Sequence, residues 1–249
     1  MLGNLFGHLL TQSGEWRSYL ISFLLTLPII LLALSVHETA HGFIANKLGD
    51  PTAKSLGRLT LNPLKHLDPI GFVCMLLFGF GWAKPVPINS RYFKKPRRDM
   101  ALTAVAGPVS NLAMAAIFTV LLKLADMLFT YFLTNNLFPN GMIFTLANCV
   151  LMFLYYGISL NVTFAIFNLL PVPPLDGSRI ITAFLPPMLA YKFIKYERII
   201  SIVLMVLLLF GLSTVISIIT DIVVMLFMTA GFLMNTYSWH MVFFGFQIF

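Results

Sequence analysis

The chain has 249 residues, of which 59% are hydrophobic and 10% are charged, and its formal net charge is +7. Soluble domains contain about a quarter charged residues, so this composition excludes an ordinary soluble protein and indicates a polytopic membrane protein. The basic residues lie between apolar stretches, where they fix membrane topology, and this distribution argues against nucleic-acid binding.

The first long apolar stretch, 18–46, is predicted to form a transmembrane helix. At about 1.5 Å per residue it can cross a hydrocarbon core about 30 Å thick, and Gly49-Asp50-Pro51 ends it. The stretch contains the histidines and the glutamate discussed below, so we expect it to be retained rather than removed as a signal peptide.

Residues 52–98 differ from a membrane-spanning helix. The pieces 57–62 and 82–89 are short and rich in Thr, Val, Pro or Gly, which predicts extended chain. Between them, 70–80 is apolar but too short to span comfortably. We therefore expect a small membrane-associated β or re-entrant segment, surrounded by protein or by a water-filled cavity.

Further apolar stretches complete a predicted all-α membrane protein of about four to six transmembrane helices. Helices are predicted at 100–133 and 142–170, followed by a Pro-rich segment at 171–185 and by further helices within 196–249. We expect all 249 residues to form one intramembrane domain with its core at 18–185.

The connections differ in their content of Lys and Arg. Segment 47–98 holds ten and segment 178–198 holds four, whereas 134–141 holds none. By the positive-inside rule, the two basic segments face the cytoplasm and the N-terminus faces outside.

The sequence His37-Glu38-Thr39-Ala40-His41 is an H-E-x-x-H motif inside the first predicted span. Residues i and i+4 share one helix face, so both imidazoles can bind one metal ion, with Glu38 beside them as general base. A lone histidine in an apolar helix is more often structural, and the motif also arises by chance. Three ionisable residues within five positions of a membrane helix are costly, however, and this favours the metal site.

A catalytic zinc site has a third protein ligand, and Asp176 is the strongest candidate. It follows a Pro-rich stretch at the expected cytoplasmic end of a span, so its depth matches that of His37 and His41. Alternatively, Asp176 caps a helix that begins near Ser178. Spacing alone favours neither interpretation, the metal ligand or the helix cap.

Over about 35–185 the chain resembles the site-2 protease family of intramembrane zinc metalloproteases. Five motifs in the family's order carry this resemblance. They are H-E-T-A-H at 37–41, G-R-L-T-L-N-P at 57–63, G-W-A-K-P-V-P at 81–87, A-G-P-V-S-N at 106–111, and N-L-L-P at 168–171 running to L-D-G at 175–177. Residues 42–106 are too few for the PDZ domain of many members, and we expect no soluble regulatory domain after 198.

The resemblance implies a zinc metalloendopeptidase that cuts other proteins within the membrane. It implies one Zn²⁺ per chain, held by His37, His41 and Asp176, with Glu38 as the base that activates water. The implied partners are the lipid bilayer and transmembrane protein or peptide substrates. The implied location is a prokaryotic cell membrane, crossed several times, with the active site near the cytoplasmic face.

Two asparagines also match family motifs and are candidate substrate-binding residues. Asn168 matches an asparagine that holds the substrate backbone, and an amide suits this role because it both donates and accepts hydrogen bonds. Asn111 matches the asparagine of the Gly-Pro-x-x-Asn motif. The segment 52–98 resembles the family's membrane-associated β region, whose edge would pair with an unwound substrate.

Two other functions fit part of the sequence. A membrane protein that binds helices without cutting them would have no need of Glu38, and a metal transporter tends to show inverted repeats, which we do not find. His66 in a basic stretch and His240 beside Trp239 are interpreted as interfacial residues rather than as further ligands.

Overall fold

The computed structural model describes residues 16–78, 83–135, 141–207 and 211–230, and helices account for most of them. No β-strand occurs within these ranges. The predicted helical class is therefore confirmed for the described part of the chain.

The described residues form nine α-helices and two single turns of 3₁₀-helix. The helices are α1 (Trp16–Lys47), α2 (Thr52–Ser55), α3 (Pro69–Phe78), α4 (Pro96–Thr134), α5 (Gly141–Leu169), α6 (Asp176–Phe184), α7 (Pro187–Lys195), α8 (Glu197–Leu207) and α9 (Ser213–Ala230), and the 3₁₀ turns are Pro63–Lys65 and Ser90–Tyr92.

Three helices are long and apolar enough to cross a membrane, namely α1 over Leu20–Lys47, α4 over Pro96–Thr134 and α5 over Ile143–Leu169. They occupy the first three stretches in which spans are expected. The expected total of four to six is not reached within the described ranges, because the apolar part of α9, Thr214–Thr229, is shorter than a span. The three long helices indicate a membrane protein.

The apolar core lies between α4, α5 and α9. Phe118 and Leu122 of α4 pack with Ile158 of α5 and Val224 of α9, and all four side chains are buried. Gly157 of α5 lies against the Phe118 ring so closely that a Cβ there would overlap it. Helix α1 packs on both α4 and α5, and this packing brings its H-E-x-x-H turn against α4.

The structure does not confirm the predicted β or re-entrant segment between α1 and α4. Within the described part of that segment, an isolated antiparallel bridge pairs Leu67 with Ala83 and no strand continues it. Pro85 and Pro87 have no N–H to donate, so 84–89 cannot form a regular ladder along the edge on which these two nitrogens lie. The apolar piece expected at 70–80 appears as the ten-residue helix α3.

Some predictions concern residues outside the described ranges. The residues concerned are 1–15 at the N-terminus, Trp82 with its neighbours at 79–81, most of the connection 134–141, and His240 with the rest of 231–249.

Candidate metal centre

The two histidines of the H-E-x-x-H motif lie on the face of α1 that packs against α4. Both are buried, and their rings meet edge to face with centroids 4.6 Å apart. Gly107 of α4 lies directly against them, and a Cβ on this residue would overlap Nε2 of both His37 and His41. A glycine at this position therefore lets the α4 backbone approach the imidazoles.

Each histidine uses Nδ1 to bind an oxygen of α4. His41 Nδ1 lies 2.7 Å from the carbonyl oxygen of Thr103, and His37 Nδ1 lies 2.5 Å from Oδ1 of Asn111. The Asn111 amide is oriented by its other contact, in which Nδ2 donates to Oδ1 of Asn161 at 3.1 Å. Both imidazoles therefore donate from Nδ1, and in the neutral rings Nε2 carries a lone pair.

Asp176 completes the group from the first residue of α6. Its Oδ2 lies 3.1 Å from Nε2 of each histidine. The start of α6 has no side-chain cap, so the carboxylate faces the histidines instead of capping its own helix. Gly177 permits this placement, because a Cβ there would overlap the carbonyl oxygens of Leu169 and Leu170 at the end of α5.

The three ligand atoms form a compact triangle, since the two Nε2 atoms are also only 3.0 Å apart. A tetrahedral zinc ion bound at about 2.0–2.1 Å holds its ligand atoms about 3.3–3.4 Å apart, close to these separations. The triangle consists of two lone pairs and a carboxylate oxygen, with no donor among them when the imidazoles are neutral. Such a set fits a divalent cation, and His37, His41 and Asp176 are the one group of this kind within the described residues.

The charge state of Asp176 suits a metal ligand. Burial raises the pKa of its carboxyl, but without a cation a protonated His37 or His41 ring donates to Oδ2 from Nε2 and holds the pKa well below its usual range. A bound cation would take the place of those protons. The carboxyl is therefore ionised at neutral pH and supplies a negative charge to the site.

Glu38 lies beside the histidines and contacts a different part of the chain. Its Oε2 accepts a hydrogen bond of 2.8 Å from the backbone N–H of Val86, in segment 84–89. The next residue, Thr39, donates from Oγ1 to the carbonyl oxygen of Thr60 at 2.7 Å. Sequence reasoning missed Val86. The one signal in the sequence is that Val86 has a backbone N–H, whereas its neighbours Pro85 and Pro87 have none.

The remaining candidate residues lie outside the triangle. Asn111 is fully buried between helices and contacts His37, so its position favours holding that ligand over touching a substrate. Asn168, in the last turn of α5, is half-buried and donates from Nδ2 to the carbonyl oxygen of Phe164 at 2.9 Å. His66 is only 1% exposed and donates from Nε2 to Thr60 at 2.7 Å, so it lacks the exposed ring expected of an interfacial residue.

Comparison with known families places this geometry in context. The sequence profile of peptidase family M50 matches residues 25–212, a range that contains all three candidate ligand residues and Glu38. The chain belongs to peptidase family M50. Family M50 membership and the relatives described next mark it as a zinc metalloprotease.

Several curated proteins are similar to this M50 chain. The "Putative zinc metalloprotease YwhC" of Bacillus subtilis is 44% identical over 178 residues, which cover 72% of this chain and 77% of that protein. The "Putative zinc metalloprotease Rip2" of Mycolicibacterium smegmatis is 30% identical over 165 residues, 64% of this chain and 57% of that protein. The "Putative zinc metalloprotease MJ0611" of Methanocaldococcus jannaschii is 25% identical over 162 residues, covering 65% of this chain and 71% of that protein. The chain thus spans less than two thirds of the mycobacterial relative. No solved structure matches it significantly.

Proposed function

We propose that this M50 protein hydrolyses peptide bonds in or near transmembrane segments of other membrane proteins. In this proposal one zinc ion is held by His37, His41 and Asp176, and Glu38 is the general base. The observation that carries the proposal is the triangle of two lone pairs and one carboxylate, whose two histidines lie on a helix long enough to cross a membrane.

The residues of the chain divide the work between binding and proton transfer. A bound zinc ion would act as a Lewis acid that lowers the pKa of water and polarises the scissile carbonyl. Glu38 Oε2 is held by Val86, and none of the described residues donates a hydrogen bond to Oε1. Oε1 can therefore take a proton from the attacking water. It then delivers this proton to the amide nitrogen as the C–N bond breaks.

Asn111 and Asn168 have different roles in this proposal. Asn111 fixes the ring of His37, with Nδ1–H donating to Oδ1, and so acts through a ligand. Asn168 is the candidate contact to the substrate backbone. Its position at the end of α5, eight residues before Asp176, supports that role together with the family resemblance.

The site favours an unwound substrate that arrives from the cytoplasmic side. A transmembrane helix hides its carbonyls in its own hydrogen bonds and must open locally before hydrolysis. Segment 84–89 is the proposed docking edge, although Lys84, Val86 and Asn89 already donate their N–H groups within the chain. This edge would therefore offer a substrate mainly backbone carbonyls. The ten basic residues of 47–98 support a cytoplasmic location.

The test is cleavage by the full chain reconstituted in liposomes. The substrates are single-span reporter peptides in which a Leu/Ala stretch is interrupted by Gly or Pro near one end, and mass spectrometry maps the cut. We expect one zinc per chain by elemental analysis and cleavage near the helix-breaking residue. Glu38→Gln should keep the zinc and lower turnover at least about 100-fold, because glutamine cannot take a proton.

Glu197→Gln is the matched control, since Glu197 is an exposed residue of α8. Near-normal turnover by Glu38→Gln would exclude Glu38 as the base. A parent protein that binds zinc but cuts no reporter would support a non-catalytic helix-binding protein instead. Zinc uptake into the vesicles would support a transporter.

A further inference from the structure

The position of Glu38 depends on a single peptide group in segment 84–89. The N–H of Val86 donates to Glu38 Oε2 at 2.8 Å. The residues on both sides, Pro85 and Pro87, have no N–H and have restricted φ angles. The Val86 side chain is buried, and its Cγ1 would lie 3.1 Å from a Cβ placed on Gly42 of α1. This peptide group therefore rests against the face of α1 that carries the proposed base.

The other end of the same peptide group is held by Arg58. Arg58 Nη2 donates to the carbonyl oxygen of Pro85 at 3.2 Å and to that of Lys84 at 2.8 Å. The Pro85 carbonyl and the Val86 N–H belong to one planar peptide unit and point in opposite directions when that unit is trans. A guanidinium thus binds the oxygen end of the unit and the Glu38 carboxylate binds its N–H end.

Arg58 itself is fixed by the chain around it. Gly57 before it has a φ of +63°, a left-handed conformation that favours glycine, and the Arg58 N–H donates to the carbonyl oxygen of Ala53 at 2.9 Å. Segment 84–89 is also held at both ends. Lys84 N–H donates to the carbonyl oxygen of His66 at 2.8 Å, and Asn89 N–H donates to Oδ2 of Asp50 at 2.7 Å.

The burial of Arg58 is costly. The residue is only 9% exposed, its Nε has no hydrogen-bond partner, and no carboxylate pairs with it within the described part of the chain. An apolar side chain would fill the same space without the desolvation cost of a charge. The guanidinium, however, can bind two adjacent carbonyls from one nitrogen while keeping a fixed plane. Its contacts therefore indicate a role in holding the 85–86 peptide.

We infer that Arg58 is a positioning residue that orients Glu38 through the Pro85–Val86 peptide. This inference rests on the proposed role of Glu38 as the general base. Without the Arg58 contact the peptide can shift. The Glu38 carboxylate then loses the N–H that fixes it relative to the metal ligands. The metal triangle does not use Arg58, so zinc binding does not depend on it.

The first experiment compares Arg58→Lys and Arg58→Met in the full chain on a reporter peptide that the parent protein cuts. Arg58→Met should lower kcat about 10- to 100-fold, the scale expected when a catalytic group is misplaced. KM should change less than about twofold, and zinc should remain at one per chain. Arg58→Lys should fall between the parent and Arg58→Met, because an ammonium can bind only part of the carbonyl pair. Arg91→Met, at an exposed arginine of the same region, is the matched control.

The second experiment measures whether Arg58 acts through Glu38. Glu38→Asp shortens the side chain by one methylene and withdraws the carboxylate from Val86. Arg58→Met should then lower kcat much less in the Glu38→Asp background than in the parent, because the contact it supports is already lost. A residue that only stabilises the loop would give independent effects, so that the two fold-changes multiply.

The outcomes separate this inference from the proposed function. If Glu38→Gln is inactive but Arg58→Met has normal kcat, or if the two fold-changes multiply, Arg58 does not position the base. If Glu38→Gln keeps normal turnover, the proposed function fails first. Should Arg58→Met lose its zinc or its cooperative unfolding, Arg58→Lys carries the same comparison, and a kcat equal to that of the parent would overturn the inference.

Discussion

The two sides of the H-E-x-x-H turn are held in different ways. The side that carries His37 and His41, called the metal side below, packs on helix α4. This helix supplies a carbonyl, an amide oxygen and the bare backbone of Gly107. The side that carries Glu38, called the base side after the proposed role of this residue, contacts irregular chain, where Arg58 binds segment 84–89.

This difference teaches that one helix can serve two functions with separate supports. Packing between long apolar helices sets the position of the two histidines proposed as metal ligands, and buried packing of this kind resists displacement. A short irregular segment, held largely by hydrogen bonds, sets the position of the proposed base. We therefore expect mutations on the two sides to separate metal binding from turnover.

The largest effect should follow Gly107→Ala, on the metal side. The added methyl overlaps Nε2 of both His37 and His41, and these buried rings cannot turn aside without breaking the Nδ1 contacts that hold them. We expect the purified protein to contain almost no zinc and to cut no reporter. Gly141→Ala is the control, because a Cβ on Gly141 meets no atom within 4 Å. A full zinc content in Gly107→Ala would show that the metal lies elsewhere.

A smaller effect should follow Asn111→Leu, which keeps the side chain's size but removes the acceptor for His37 Nδ1. Zinc affinity should fall about 10- to 100-fold, the usual result of losing such a partner, as measured by competition with a chelator. Excess zinc should restore most of the turnover. Asn148→Leu, the same change at an asparagine of α5, is the control for general damage to the fold. Unchanged affinity in Asn111→Leu would remove Asn111 from the metal site and reopen its role as a substrate contact.

The smallest effect should follow Gly42→Ala, on the base side. The new Cβ would lie 2.6 Å from a terminal carbon of Leu59, which can rotate away, and 3.1 Å from Val86 Cγ1, which must yield slightly. Because Val86 carries the N–H that binds Glu38, we expect kcat to fall a few-fold, roughly 1 kcal/mol of lost transition-state stabilisation. Zinc content should be unchanged. If Gly42→Ala lost zinc while its kcat per zinc-loaded molecule equalled that of the parent, the proposed separation of the two sides would be contradicted.

Much of the metal side could be predicted from sequence because its signals are local. The spacing of His37 and His41 defines a shared helix face without any knowledge of the fold. For Asp176, spacing alone does not decide between a metal ligand and a helix cap. Family resemblance favoured the ligand, and the structure brings its carboxylate to the histidines. The helical class and the first three apolar stretches follow from hydrophobicity in the same way.

The base side could not be predicted because its contacts join distant, irregular pieces of chain. The β pieces expected at 57–62 and 82–89 rest on residue preference, and prolines that suit extended chain also remove donors from one edge of a strand. Neither preference nor periodicity shows that Arg58 meets the carbonyl of Pro85. The contact of Asn111 with His37 was missed for a similar reason, since it depends on how two long helices pack.

The metal ligands are also far apart in the order of synthesis. The histidines lie in the first long helix, whereas Asp176 follows the third and is separated from His37 by 139 residues. A chain that is made from its N-terminus therefore synthesises α1, α4 and α5 before the carboxylate. Until then the growing polypeptide lacks one of the three ligands. The candidate metal centre therefore cannot assemble on a partial chain that ends before Asp176.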